Sequence, residues 1–283
     1  MKKVSSIWER VILLFRRSTN TVLDRGLDRT FLLFVRYVSW NLRFQNWVAE
    51  LPPQLNKIVT TLVFIWVRYT IKTSRMILPE KYTDADPYGL LYVNPDRITR
   101  ISGLHDKKRR GWVVDGEWDE TDELFQNKPV PTAIKQHFEE GLDWEETVLS
   151  AEYDDPDRFE RKCAKIERLH DRIATDGYRS QRELLEIDPE AAWSGVNATL
   201  SPLTNEVTVD IGRDGEILWN MLGKHRLSIA KVADVEKIPV LVFSRHREWQ
   251  RIREGNRPHI EESASHQTHP DLTHVVGTIG RSK

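Results

Sequence analysis

The charge of this 283-residue chain is divided along its length, and the division limits what each end can build. Residues 1–80 carry 13 Lys or Arg against 5 Asp or Glu, a net +8, whereas residues 81–283 carry 29 against 38, a net −9. The overall −1 therefore hides two regions suited to different partners. Apolar residues make up 39% of the chain, enough for the core of one large or two modest domains. Cys163 is the single cysteine, which excludes a disulfide framework and a Cys-rich zinc site and fits a reducing cytoplasm.

The basic end reads as three helices. Ile7, Trp8, Val11, Ile12, Leu14 and Phe15 recur at helical spacing, as do Phe31, Phe34, Val35, Val38 and Leu42. The third segment opens after Pro52 and Pro53, with Lys57, Thr61, Arg68, Lys72 and Arg75 on a polar stripe and Phe64, Trp66 and Val67 on an apolar face. Val11–Phe15 is too short for a secretory signal, so the sequon at Asn197 carries no weight. The uncharged run Ile58–Val67 is half of the roughly 20 residues that a spanning helix needs. Two readings of residues 1–80 stay open: a helical hairpin packed on the rest of the chain, or a peripheral surface for an anionic membrane.

Pro79–Pro87 reads as a linker. Leu90–Val93, Ile98–Ile101 and Gly111–Val114 are short strand candidates, and a helix runs from Pro131 to a stop at Gly141. Lys107–Arg110 is a basic run expected in a solvated loop. Residues 157–174 form the clearest helix, with Phe159, Cys163, Ile166, His170 and Ile173 on one face and Arg158, Arg161, Lys165, Arg168 and Arg172 on another. Cys163 and His170 are expected in the core. A strand over Glu206–Ile211 turns at Arg213, Asp214 and Gly215 into Glu216–Trp219. Gly223 opens a helix to about Ala233, followed by a buried strand Ile238–Phe243, a helix Arg245–Arg253 and a polar, His-rich tail over residues 255–283.

The segment most informative for function is Gly223, Lys224, His225 and Arg226 at the mouth of that helix. Backbone N–H groups, the positive end of the helix dipole and side-chain cations together suit a phosphate. Upstream, Leu169, Ile173, Gly177, Ser180 and Gln181 form a helix, a glycine turn and a Gln. In these features residues 155–250 resemble the ParB/sulfiredoxin superfamily, and specifically its ParB N-terminal-like domain. The resemblance implies a nucleotide-binding module in which Gly223, Lys224, His225 and Arg226 contact phosphates and Gly177, Ser180 and Gln181 supply the earlier turn. It implies a nucleoside triphosphate with Mg²⁺ as the bound cofactor, and hydrolysis or phosphoryl transfer as the reaction class. Lys224 stands where a sulfiredoxin has its cysteine, and too little chain follows Arg253 for a partition protein's helix-turn-helix. Met221 and Leu222 stand where related boxes carry an acid. No catalytic residue is assigned.

Gly116, Glu117, Trp118 and Asp119, with Phe138, Glu139, Gly141, Trp144, Glu145 and Thr147, also resemble a pattern in uncharacterised haloarchaeal proteins, which implies that residues 87–253 form one unit. The acids of positions 115–123 lack the glycine and glutamate spacing of a calcium loop, and His259, His266, His269 and His274 read as part of a disordered tail rather than a metal site. The expected fold is α+β: a basic helical region over 1–80, a mixed segment over 81–150, and a ParB-like module over 151–254. The function expected first is nucleotide binding. Nucleic-acid binding through Lys107–Arg110, the 157–174 stripe and Arg245–Arg253 is the alternative, as is a membrane-surface scaffold.

Overall fold

The computed structural model describes residues 51–104, 110–193, 205–255 and 269–272. The helices expected over 7–15 and 31–42, the sequon, Lys107, Lys108, Arg109, His259, His266 and His274 lie outside the described residues. The chain divides into two compact units, residues 1–70 and 71–283, rather than at residue 80. Helix α1 (Pro53–Ile77) begins in the first unit and continues into the second.

The second unit is α+β, built on one five-stranded mixed sheet. Its strands are β1 (Leu90–Val93), β2 (Trp112–Val114), β3 (Val207–Ile211), β4 (Ile217–Trp219) and β5 (Ile238–His246). β5 is central. It pairs antiparallel with β1 through Leu90–Leu241, parallel with β2 through Trp112–Ser244, and parallel with β3 through Val209–Val242. The hairpin partner β4 closes the far edge. Strands β1 and β2 come from the segment expected over 81–150 and β3 to β5 from the expected module, so these two regions share one sheet.

Among the described residues, four α-helices follow β2 before the β3–β4 hairpin: α2 (Pro129–Phe138), α3 (Pro156–Asp176), α4 (Gln181–Ile187) and α5 (Pro189–Trp193). α6 (Lys224–Val232) leads into β5, and α7 (Arg247–Arg253) leaves it. Leu227 and Ala230 of α6 join the sheet core with Val207, Val240 and Trp249, while Ile229 joins Ala133, Ile134, Cys163 and Ile166 of α2 and α3. α6 thus lies between the sheet and the α2–α3 layer, buried on both sides, which is why its sequence is apolar beyond one face.

Several expectations need correction. Ile98–Ile101 is not a strand, because Pro95 opens a tight 3₁₀ turn and only the isolated bridges at Arg100 and Ile101 remain. The helix read from Pro131 starts at Pro129. Arg245 and His246 belong to β5, so the helix expected over Arg245–Arg253 starts at Arg247, capped by His246 Nδ1 accepting from Glu248 N at 3.1 Å. Pro79–Pro87 is not a free linker: Thr83 Oγ1 donates to Gln250 Oε1 at 2.9 Å, and Asp84 accepts from Gln250 and Arg253. Arg110 is buried instead of solvated, with its guanidinium 4.6 Å from the Tyr88 ring centroid and 4.5 Å from that of Phe243. His170 is half-buried, stacked on Phe138 at 3.9 Å, while Cys163 is buried and burial pushes its thiol up to about 11.

The tail is the largest correction. Residues 269–272 are docked, not loose: the buried Asp271 carboxylate accepts from Arg245 Nε and Nη2 at 2.9 and 2.6 Å and from Trp249 Nε1 at 2.9 Å. His269 is buried against the Trp249 ring. Among the described residues, no group of three His, Cys, Asp or Glu is placed to hold a metal ion, and no helix is long and apolar enough to cross a membrane.

Candidate functional site

α3 owes its position to its ends. The Asp155 carboxylate accepts from Asp157 N and Arg158 N, Pro156 fills the first turn, and Gly177 ends the helix at φ +78°. Cys163, Ile166 and Ile173 face the core, which turns another face of α3 and its cations toward α6 and α4. After the Gly177 turn, Ser180 caps α4: its hydroxyl accepts from Glu183 N at 3.2 Å, and Glu183 Oε2 accepts from Ser180 N at 2.6 Å. Gln181 is therefore the first residue of α4.

Gly223 closes the other side. Its φ of +78° and a prospective Cβ only 2.6 Å from Val207 Cα leave no room for a side chain, so glycine lets the start of α6 lie against the start of β3. The preceding Met221 also has a positive φ of 54°, an uncommon conformation for a residue with a side chain.

Between α3, α4 and the start of α6 lies a cavity of about 730 Å³. Lys162, Lys165, Arg168 and Arg172 line it from α3, Gln181 and Leu184 from α4, and Gly223, Lys224, His225 and Arg226 from the box, with Asn205 at the entry to β3 and Asp188 and Glu190 at the rim of α5. Six cationic side chains thus face two carboxylates. Among the described residues, Lys162, Arg168, Arg172 and Lys224 make no ion pair. Burial, followed by the charges of Lys224 and Lys165, brings the Lys162 ammonium down to about 8. Burial, followed by the charges of Lys162, Lys224 and Lys165, brings His225 down to about 3, so its ring is neutral near pH 7. His225 Nε2, Gln181 Oε1 and both amide atoms of Asn205 are buried without a hydrogen-bond partner. Concentrated positive charge beside unsatisfied polar atoms suits a ligand with anionic oxygens and a polar edge.

Of the seven residues the sequence singles out, Gln181, Gly223, Lys224, His225 and Arg226 meet at this cavity. Gly177 and Ser180 are not among its walls; they shape the turn that delivers Gln181. Arg226 is not the exposed phosphate contact it resembles in sequence. Its guanidinium is buried, 3.4 Å from Glu206 Oε2, donating to the Arg179 carbonyl and lying 4.6 Å from the centroid of the Tyr178 ring. Glu206 also accepts from Gln181 N at 2.5 Å, so one carboxylate joins the glycine turn to the box. Burial raises its pKa, while Arg226 and the Gln181 N–H pull the other way.

Sequence reasoning missed Lys162 and Asn205 and read Lys165, Arg168 and Arg172 as a nucleic-acid face. The spacing 162, 165, 168/169 and 172 is the signal that marks one side of a helix. No protein-family model matches this chain, nor does any curated protein or solved structure.

Proposed function

We propose that the chain binds a nucleoside triphosphate in the cavity between α3, α4 and α6. The observation that supports it most is the set of four cations without ion pairs, Lys162, Arg168, Arg172 and Lys224, around buried amide atoms that lack partners. In this reading the phosphates lie toward these cations and the first turn of α6, whose free N–H groups and dipole favour anions. Gln181 and Asn205 offer acceptors and a donor to the polar edge of a base. Arg226 organises the site through Glu206 and Tyr178 instead of carrying the phosphate. The volume lies within the range of small-molecule sites, about 300–1,000 Å³.

Mg²⁺ enters this proposal with the nucleotide. Asp188 and Glu190 are the carboxylates lining the cavity, and Mg²⁺ is commonly held by phosphates with one or two carboxylates rather than by a protein cage. The test is a thermal-stability panel of ATP, CTP, GTP and UTP with Mg²⁺: a ligand at 100 times its dissociation constant adds about 2.7 kcal/mol. Absence of any shift defeats the proposal.

One observation favours a second reading. Lys162 and Arg172 stand ten positions apart, about 15 Å of helix, long enough to follow several phosphates of a nucleic-acid strand. A strand would bind with a steep salt dependence and displace mononucleotides.

A further inference from the structure

Helix α1 has its faces inverted. Leu55, Ile58, Leu62, Ile65 and Tyr69, spaced alternately by three and four residues, are each more than half exposed, and Met76 extends the row at 80%. Asn56, Thr60, Val67 and Ile71 are buried, and at about 100° per residue they fall opposite that row. A helix that buries Asn and Thr while presenting Leu and Ile to water leaves its most apolar face for another surface.

Charge selects the occupant. The 25-residue helix carries Lys57, Arg68, Lys72 and Arg75 and has no Asp or Glu. Lys57 and Lys72 are exposed, and Lys72 lies within the apolar row itself. A second copy packed along this row would set Lys72 of each chain in the seam, placing like charges together at positions that pairing helices fill with apolar or opposite charges. Residues 1–50 hold 9 Lys or Arg against 4 Asp or Glu, so the sequence on this side of the chain adds to the positive charge. An anionic bilayer complements both features: acyl chains take Leu, Ile and Tyr, and headgroups take the lysines, whose long stems reach outward. We infer that the exposed row of α1 is a docking surface for an anionic phospholipid membrane. The helix lies on that surface, since it is not apolar enough to cross.

The test is co-sedimentation of the full chain with phosphatidylcholine vesicles, with and without phosphatidylserine. The protein is expected to pellet with the anionic vesicles only. Lys57→Gln combined with Lys72→Gln should weaken binding roughly 30-fold, and Ile65→Glu should abolish it with the circular dichroism spectrum unchanged. Equal binding to neutral vesicles, or none to either, overturns the inference. So does a concentration-dependent dimer, seen by sedimentation velocity, that Ile65→Glu dissociates without any vesicle binding by the parent chain. Should Ile65→Glu unfold the protein, the lysine variant decides: unchanged affinity for anionic vesicles overturns the inference.

Discussion

Arg226 Nη1 lies 3.4 Å from Glu206 Oε2, with both side chains withdrawn from water, and this contact ties the start of α6 to the start of β3. Removing one member of such a pair strands the other in a poorly solvating interior. Arg226→Ala should therefore destabilise the fold by about 3–5 kcal/mol in urea unfolding. Because the stranded Glu206 has a folded-state pKa above its ordinary value, its neutral form favours folding at low pH. The deficit should shrink as pH falls toward 5, and Glu206→Gln in the Arg226→Ala background should recover part of it.

Two glycines should differ in what they tolerate. Gly223→Ala places a methyl group 2.6 Å from the Val207 backbone at positive φ, so both contact and conformation resist it. At Gly177, φ is also +78° but nothing lies within 4 Å of the added carbon. Equilibrium unfolding should show a cost of about 1–3 kcal/mol for Gly177→Ala, whose ψ of 168° at positive φ lies in a region that glycine alone populates readily, and a clearly larger one for Gly223→Ala, where the backbone clash adds to the strain.

Ligand affinity should depend on pH through Lys162. Its free-state pKa is about 8, and a bound anion favours the protonated form, raising that value. Affinity is then highest below pH 8 and falls as pH rises above 8, because binding must bring a proton with it. Calorimetry in buffers of different ionisation enthalpy should detect proton uptake near pH 8, and Lys162→Gln should remove it.

The docked tail makes a separate claim about stability. Asp271 has a carboxyl held well below the usual range: burial opposes ionisation, but Arg245 and Arg253 outweigh it. A depressed folded-state pKa contributes stability that is complete above the ordinary carboxylate value and is lost as pH falls below it. Asp271→Asn leaves the buried Arg245 without its bidentate partner. It should lower stability by about 3–5 kcal/mol at neutral pH in urea unfolding, with the difference from the parent chain narrowing in acid.

What the sequence disclosed was local. The period of α3, the Arg213–Gly215 turn and the glycine at the mouth of α6 each depend on neighbours in the chain, and each stands in the structure. What it concealed was pairing across distance. Nothing near Pro79 indicates that Thr83 and Asp84 find Gln250 and Arg253, and nothing in a polar tail marks Asp271 as the partner of Arg245. The box was legible as a cluster of cations. Which cation faces the cavity and which is committed to Glu206 followed only once β3 was placed beside Gln181 and α6. The row on α1 was hidden for another reason: an apolar period indicates one face of a helix, and tertiary packing decides whether that face is buried.

The central claim is that unpaired cations of α3 and α6 hold a nucleotide's phosphates. Isothermal titration of the most stabilising of the four nucleotides with Mg²⁺ tests it most directly, comparing the parent chain with Lys162→Gln, Lys224→Gln and the double variant. Each single change should weaken binding about 5- to 30-fold, within the range of a charge-assisted hydrogen bond. The double variant should lose it nearly completely, without lowering the unliganded melting temperature, since neither lysine has an ion pair to lose and Lys162 is charged against burial and its lysine neighbours. Titration curves that are flat for all four nucleotides, or a dissociation constant that the double variant leaves unaltered, would contradict the account.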